Sequence, residues 1–337
     1  MNATMSLEKT IHYPVMLDQV LSIISPQHGG TFIDCTFGGG GYSRAILKFP
    51  GTKVLAIDRD KLTQKYANFL AKKFPKRFNF FQEKFSNLDK VVQQNLNPRA
   101  VIFDLGLSSF QLLDSERGFS FESKNFLNME MGINEHSAYN VINTLDKEYL
   151  GTIIKILGEE KDGKIIANKI DKYRRKKPIK TSQELASIIN DAKKNYNNYK
   201  RNPATKTFQA IRIFVNKELS ELILGLIEAA KLLSNGGILI VVSFHSLEDR
   251  IVKNFFNLYS NLRKNPSRYL PMKENKPSLF KLISKNPLVA DVKEIKKNIR
   301  SRSAKLRYAI RNSNSFFYPN EFKNKFLNYS KLESGRI

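Results

Sequence analysis

Residues 31–43 read Thr31-Phe32-Ile33-Asp34-Cys35-Thr36-Phe37-Gly38-Gly39-Gly40-Gly41-Tyr42-Ser43. A short apolar, β-prone run at Phe32 and Ile33 leads into four glycines and then a helix-compatible segment over 43–47, a pattern that predicts strand, tight loop and helix. Glycines let backbone N–H groups approach a ligand that side chains would exclude, and a helix N-terminus behind such a loop favours negative charge. About 20 residues further on, a second apolar run over 54–57 ends in Asp58, whose carboxylate can accept hydrogen bonds from ribose hydroxyls. Loop and acid together predict a nucleotide-cofactor cradle.

The loop also narrows the choice of cofactor. A dinucleotide fingerprint G-x-G-x-x-G beginning at Gly38 and Gly40 needs glycine where Ser43 stands, so a nicotinamide or flavin dinucleotide is disfavoured. No Gly-Lys-Ser/Thr follows at the spacing of a nucleoside-triphosphate loop. S-adenosylmethionine remains, with its adenosine on Asp58 and its amino acid end over the glycines.

With 337 residues, of which 41% are hydrophobic, the chain suffices for two domains or for one α/β domain carrying a large insertion. Lys and Arg number 56 against 31 Asp and Glu, a formal charge of +25 that points to a polyanionic partner. Lysine enrichment throughout, alongside many Asn and Ile residues, accounts for part of that excess. Cys35 is the single cysteine, which excludes disulfides and cysteine-rich metal sites and suits a reducing cytosol. No metal site is expected. No apolar run has the length of a membrane span and residues 1–9 lack a signal-peptide core, so a soluble cytoplasmic protein is expected.

Along the chain, a helix over 17–24 ends at Pro26 and Gly29-Gly30 and leads into the cradle. A helix over 62–73 and a strand over 78–82 follow Asp58. Phe85 lies just past that strand, equally suited to stack on adenine or to fill a core. Ala100-Val101-Ile102-Phe103-Asp104 is another buried strand ending in an acid. Strands separated by helices form a parallel sheet whose ligands sit at the strand C-terminal ends, so residues 38–42, Asp58, Phe85 and Asp104 are expected at one edge.

From about 113 to 202 strand signal vanishes. Leu150, Ile153, Ile154 and Leu157 follow helical spacing, and Thr181-Ser182-Gln183-Glu184 is a capping box. Two basic, tyrosine-interleaved clusters suit a flexible nucleic acid: Lys172, Tyr173, Arg174, Arg175, Lys176 and Lys177, then Lys193, Lys194, Tyr196, Tyr199, Lys200 and Arg201. Either alone also fits a solvated charged face. After Asn202-Pro203 one long helix is expected over about 205–233, then a strand over 238–242 running into Ser243-Phe244-His245-Ser246. Runs at 279–283 and 304–310 fit a closing hairpin, and the tail beyond Asn312 is expected to be loosely held.

The sequence resembles the bacterial 16S ribosomal RNA (cytosine-N4)-methyltransferases, the small-subunit methyltransferase H family, from His12 to about Arg311. The likeness rests on His12-Tyr13-Pro14-Val15-Met16-Leu17, the glycine cradle, Ala56-Ile57-Asp58-Arg59-Asp60, Asp104-Leu105-Gly106-Leu107-Ser108-Ser109 and Glu116-Arg117-Gly118-Phe119-Ser120-Phe121. It continues through the long motif Pro203-Ala204-Thr205-Lys206-Thr207-Phe208-Gln209-Ala210-Ile211-Arg212, Ser243-Phe244-His245-Ser246-Leu247-Glu248-Asp249-Arg250 and Arg302-Ser303-Ala304-Lys305-Leu306-Arg307. The resemblance implies an α/β fold: a Rossmann-like, seven-stranded S-adenosylmethionine-dependent methyltransferase sheet with an inserted helical domain. It implies a methyltransferase domain over 1–112 and 203–312 and a helical RNA-recognition insertion over 113–202, leaving a loosely ordered basic tail over 313–337. The implied reaction is methyl transfer to N4 of a cytidine in the decoding region, with 16S rRNA or the small ribosomal subunit as partner and no membrane. Carried over by position, the cofactor contacts fall on Gly40, Gly41, Tyr42, Asp58, Phe85, Asp104 and Gln111. Departures are mild at Tyr42, where histidine is usual, at Phe110, where proline is usual, and at Lys206, where arginine is common. A larger one is Asn128-Met129-Glu130-Met131-Gly132 in place of Asp-Met-Arg-Met-Asp.

The methyl donor is already activated, so alignment is the main task. His245 is the candidate for substrate or proton handling, with a buried structural histidine as its alternative. Cytosine C5 methylation needs a thiolate nucleophile, which Cys35 in the strand before the cradle does not supply. The Asn/Asp-Pro-Pro-Tyr/Phe signature of DNA amino-methyltransferases is missing after Asp104. Ribose 2'-O methylation and a non-catalytic RNA-binding assembly factor remain the alternatives.

Overall fold

A computed structural model describes residues 13–92, 96–193, 202–260 and 278–335. The chain divides into two compact units, one of Met1–Gly106 with Glu221–Leu327, the other of Leu107–Ser220 with Asn328–Ile337.

The first unit opens with α1 (Leu17–Ile24), then alternates β1 (Gly30–Asp34), α2 (Gly41–Leu47), β2 (Thr52–Asp58), α3 (Gln64–Lys73), β3 (Phe78–Gln82), α4 (Leu88–Val91) and β4 (Ala100–Asp104). β4 has four apolar residues buried in succession, as a parallel strand covered on both faces requires. In the second unit α5 (Ser109–Leu113), α6 (Ala138–Thr144), α7 (Lys147–Leu157), α8 (Gly163–Arg174), α9 (Ser182–Ala192) and α10 (Thr205–Asn216) follow. α11 (Glu218–Leu232) leads back to β5 (Ile238–Ser243) and α12 (Ser246–Tyr259). β6 (Phe280–Leu282), β7 (Leu288–Val289), α13 (Val292–Lys297), β8 (Lys305–Arg311), α14 (Asn320–Lys325) and α15 (Leu327–Glu333) complete the described elements.

The sheet runs β3-β2-β1-β4-β5-β8-β6. β1 pairs in parallel with β2 and β4, β2 with β3, and β4 with β5, whereas β8 is antiparallel to β5. β6 and the two-residue β7 pair with opposite ends of β8, so the sheet is seven strands wide although eight are assigned. The closing hairpin expected from the sequence is therefore present, interrupted by β7. No helix among the described residues is long and apolar enough to cross a membrane.

Helices over 107–220 bury the expected stripe, with Leu150, Ile153, Ile154 and Leu157 fully enclosed. The capping box forms as read: Thr181 Oγ1 accepts the Glu184 amide at 3.1 Å, and Glu184 Oε2 accepts the Thr181 amide at 3.2 Å. Residues 114–137, by contrast, hold only one 3-10 turn. The helix expected over 205–233 is two helices, because Lys217 is left-handed at φ 51°. Asn216 anchors the break, its amide donating to the carbonyls of Met129 and Arg212, both at 2.8 Å.

The tail differs from the loose segment expected. Phe322 of α14 is buried edge-on to Phe255 at 5.1 Å, within a cluster that includes Phe326. Glu333 of α15 is buried in the second unit and accepts the amides of Leu219 at 3.0 Å and Ser220 at 2.8 Å. Burial raises its carboxyl to about 8.

Candidate active site

Parallel strands in the order 3-2-1-4-5 place a crevice at the C-terminal ends of β1 and β4, where the chain reverses its direction across the sheet. Backbone bonds shape it: the Cys35 amide reaches the Ile102 carbonyl at 2.9 Å and the Phe37 amide the Ile57 carbonyl at 3.0 Å. The Asp104 amide donates to Thr36 Oγ1 at 2.7 Å, tying the end of β4 to the loop after β1.

Three acids gather there. Asp34 is wholly buried and accepts from Ser43 Oγ at 2.6 Å, a clamp between β1 and α2; burial raises its pKa. Asp58 Oδ2 accepts the Gly38 amide at 2.7 Å and Oδ1 the Asp60 amide at 2.8 Å. Burial outweighs these two bonds and lifts its carboxyl to about 7. Asp104 is raised to about 7 by burial, partly offset by Arg300. Its Oδ1 is buried with no hydrogen-bond partner among the described residues. Such an orphaned acceptor calls for a donor from beyond the described residues, such as a ligand or a water.

The glycines divide by role. Gly40 is left-handed at φ 77°, and a Cβ there would meet the Phe37 ring at 2.9 Å. A Cβ on Gly41 would run into Pro14. One on Gly39 would meet nothing within 4 Å, so this is the glycine with open space in front of it. The hydroxyl of Tyr42 donates to the Val15 carbonyl, and burial pushes its pKa well up. Phe85 is half-buried, edge-on to Phe103 at 5.3 Å, and lies where any side chain on Gly225 of α11 would clash with it. Gln111 belongs to the second unit, where its Oε1 accepts the Ser108 amide at 2.9 Å in a capping box.

His245 caps α12. Its Nδ1 accepts the Glu248 amide at 3.4 Å, and Glu248 Oε2 accepts the amides of Phe244 at 2.8 Å and His245 at 3.2 Å. Because Nδ1 serves as an acceptor, the neutral ring carries its proton on Nε2, which lies 3.2 Å from Glu248 Oε1 outside hydrogen-bond geometry. Glu248 was not singled out from the sequence, although its spacing from His245 is that of a capping box. Thr36 was missed as well, and its contact with Asp104 leaves no sequence signal. Cys35 is buried and its thiol is pushed well above the ordinary value by burial, which opposes a thiolate nucleophile.

The basic clusters are partly structural. Arg174 donates to the carbonyls of Ile142 and Leu145, both at 2.7 Å, and pairs with Asp171, as does Arg175. Lys177 pairs with Glu184, leaving Lys172, Tyr173 and Lys176 exposed. Lys193 is buried on Glu160 and on the Pro203 carbonyl, so it does not face a partner. Lys194, Tyr196, Tyr199, Lys200 and Arg201 lie outside the described residues. The departing segment 128–132 is held through its backbone: Arg117 Nη2 donates to the Glu130 carbonyl at 2.6 Å, and Asn128 Oδ1 accepts the Glu130 amide at 3.0 Å. An aspartate at 128 could accept the same bond.

A parallel sheet in this strand order with an antiparallel β8, a glycine loop after β1 and acids closing β2 and β4 define a Rossmann-like methyltransferase using a methyl donor of the S-adenosylmethionine type. The chain belongs to the MraW methylase family, whose model matches residues 9–312. It is 45% identical over 304 residues to ribosomal RNA small subunit methyltransferase H of Ehrlichia canis, covering 89% of this chain and 100% of that protein. The protein of the same name from Afipia carboxidovorans is 42% identical over 313 residues, 92% of this chain and 93% of its own length. Among solved structures, an rRNA methylase from Streptococcus thermophilus aligns over 87% of this chain and 96% of its own at 9% identity, with a TM-score of 0.39, a likeness that carries no argument.

Proposed function

We propose that the protein is a cytoplasmic enzyme that transfers a methyl group from S-adenosylmethionine to the exocyclic N4 of a cytidine in 16S rRNA of the small ribosomal subunit. The names of the relatives support the substrate, and the observation that carries the chemistry is the Asp58–Asp104 edge with its unpaired Asp104 oxygen. When bound, the cofactor supplies a methyl group activated by a sulfonium.

Asp58, held on two amides, accepts ribose hydroxyls. Asp104 Oδ1 takes an amine or cationic donor, and the face of Gly39 lets the ligand approach the backbone. Phe85 offers a ring beside these acids. His245, its ring fixed by Glu248, offers an Nε2–H as a donor to the base, and the proton that N4 gives up passes to water. The cytosine amine is delocalised into its ring, so its alignment with the methyl group is what the protein must provide.

The test is methyl transfer from labelled S-adenosylmethionine to small subunits lacking the modification, followed by nucleoside analysis. N4-methylcytidine at one site is the expected product. A ribose-methylated nucleoside would move the acceptor to a 2'-hydroxyl, and binding of cofactor and subunit without incorporation would make the protein an assembly factor.

A further inference from the structure

The mechanism uses the β5 end of α12; its later turns border something else. Lys253, Asn254 and Asn257, with Lys285 and Asn286 between β6 and β7 and Lys325 of α14, line a cavity of about 370 Å³. At 1.5 Å per residue, Lys253 and Asn257 stand more than 10 Å along the helix from His245. Among the described residues of the lining Leu258 is the single apolar side chain, and none carries a carboxylate.

The nearest candidate acid along the helix, Asp249, is taken by the Arg307 guanidinium at 2.7 Å and the Lys305 ammonium at 3.2 Å. Lys253, Lys285 and Lys325 form no ion pair among the described residues. The walls are nonetheless built. Arg307 Nη1 donates to the Lys285 carbonyl at 2.8 Å, Ser284 Oγ accepts the Asn286 amide at 3.2 Å, and Asn254 receives the Lys325 ammonium while donating to the Arg250 carbonyl at 2.7 Å.

Three ammonium groups around one cavity repel one another unless an anion joins them. Lysines and amides predominate among the described lining residues, a set suited to phosphates rather than to bases or a protein surface. We propose that this lysine–asparagine groove is a second RNA-anchoring site, which grips the sugar–phosphate backbone of ribosomal RNA away from the methyl-transfer edge and without regard to sequence. The proposal rests on the reading of ribosomal RNA as the substrate.

The full-length protein is compared with the triple variant Lys253→Gln, Lys285→Gln, Lys325→Gln and with an equal-charge control, Lys48→Gln, Lys53→Gln, Lys72→Gln. Binding to a 16S rRNA fragment is followed against salt, with S-adenosylmethionine affinity as the check on folding. The groove variant is expected to bind RNA on the order of ten- to a hundredfold more weakly near 0.1 M salt. Its log–log salt slope should be shallower by about 2, as loss of three single-strand phosphate contacts implies. KM for RNA should rise while kcat and cofactor affinity stay unchanged. Unchanged RNA affinity and slope, or an equal loss in the control, would overturn the site. So would a polyglutamate peptide that binds the wild type as tightly as RNA and is lost in the groove variant, since the groove would then serve an acidic protein. Because binding is read without turnover, a wild type that methylates no RNA but shows the groove-specific loss would refute the proposed activity and leave the anchor standing.

Discussion

Asp58 Oδ2 accepts the amide of Gly38 at 2.7 Å, so the carboxylate that closes β2 also holds the loop that follows β1. Both its oxygens face backbone donors, and an amide at this position would turn an NH2 against one of them. Asp58→Asn is expected to weaken S-adenosylmethionine binding by roughly ten- to a hundredfold, the range of one lost or reversed hydrogen bond to a charged group, and Asp58→Ala by more. Calorimetry reads this directly, and an Asp58→Ala variant within twofold of wild type would remove Asp58 from the cofactor site.

Cofactor affinity should depend on pH. Asp58 and Asp104 both sit at about 7, lifted by burial. A ligand that needs the carboxylates must displace their protons below that value, so affinity is expected to fall by up to tenfold per pH unit for each group below about 7 and to level off above it. A flat profile from pH 5 to 8 would show that neither acid titrates on binding.

Glu333 makes the corresponding case for stability. Its folded-state carboxyl lies near 8, above an unfolded value near 4.3, so the folded form holds the proton longer and wild-type stability declines as pH rises between the two. Glu333→Gln cannot titrate. Its stability relative to wild type should therefore rise between about pH 4.5 and 8, by at most about 1.4 kcal/mol per unit, and stay constant above. Paired denaturant titrations at pH 5, 7 and 9 would show it, and a constant difference would count against burial of a protonated side chain.

Gly39 and Gly41 should respond oppositely to alanine. Gly41→Ala drives a methyl group into Pro14, and its expected effect is a loss of stability of about 1–3 kcal/mol. Gly39→Ala has open space before it and should leave the melting temperature unchanged while lowering cofactor affinity. Thermal melts with and without cofactor separate the two; an unaltered affinity in Gly39→Ala would place the ligand elsewhere.

His245 can be divided into cap and hydrogen-bond donor to the base. His245→Ala removes the N-cap and should cost about 0.5–2 kcal/mol, whereas His245→Asn keeps a side-chain acceptor and most of that stability. If its Nε2–H also holds the base for transfer, both variants lose roughly five- to a hundredfold in kcat/KM, the range of one lost hydrogen bond at a buried group. A stable His245→Asn enzyme with wild-type kcat/KM would reduce the histidine to a helix cap.

The sheet and its acid edge were legible because periodicity and spacing are local: Asp58 and Asp104 each close an apolar run, and the run sets the strand. The break at Lys217 was not, since lysine is an ordinary helix former and Asn216 is anchored by the distant Met129 carbonyl. Lys193 belonged by composition to a basic cluster, yet its charge is buried on Glu160, a partner 33 residues away. Phe322 and Glu333 lie in a stretch whose polar neighbours concealed a docking face. His245 was read for its chemistry because histidine is an uncommon N-cap, and its bond to the Glu248 amide emerges only in the folded helix.

Neither unit is continuous in sequence, and that governs the order of events during synthesis. β4 emerges with β1 on one side and its other edge bare, and it stays so until β5 follows more than a hundred residues later. At 5–20 residues per second this exposes an apolar strand edge on the order of ten seconds, with the helices of residues 107–220 folding in between. The amides of Leu219 and Ser220 wait in turn, across 114 and 113 residues, until Glu333 has been made. Both cores are thus closed late, and a nascent chain stalled before β5 presents the strand edge most prone to pair with a neighbour.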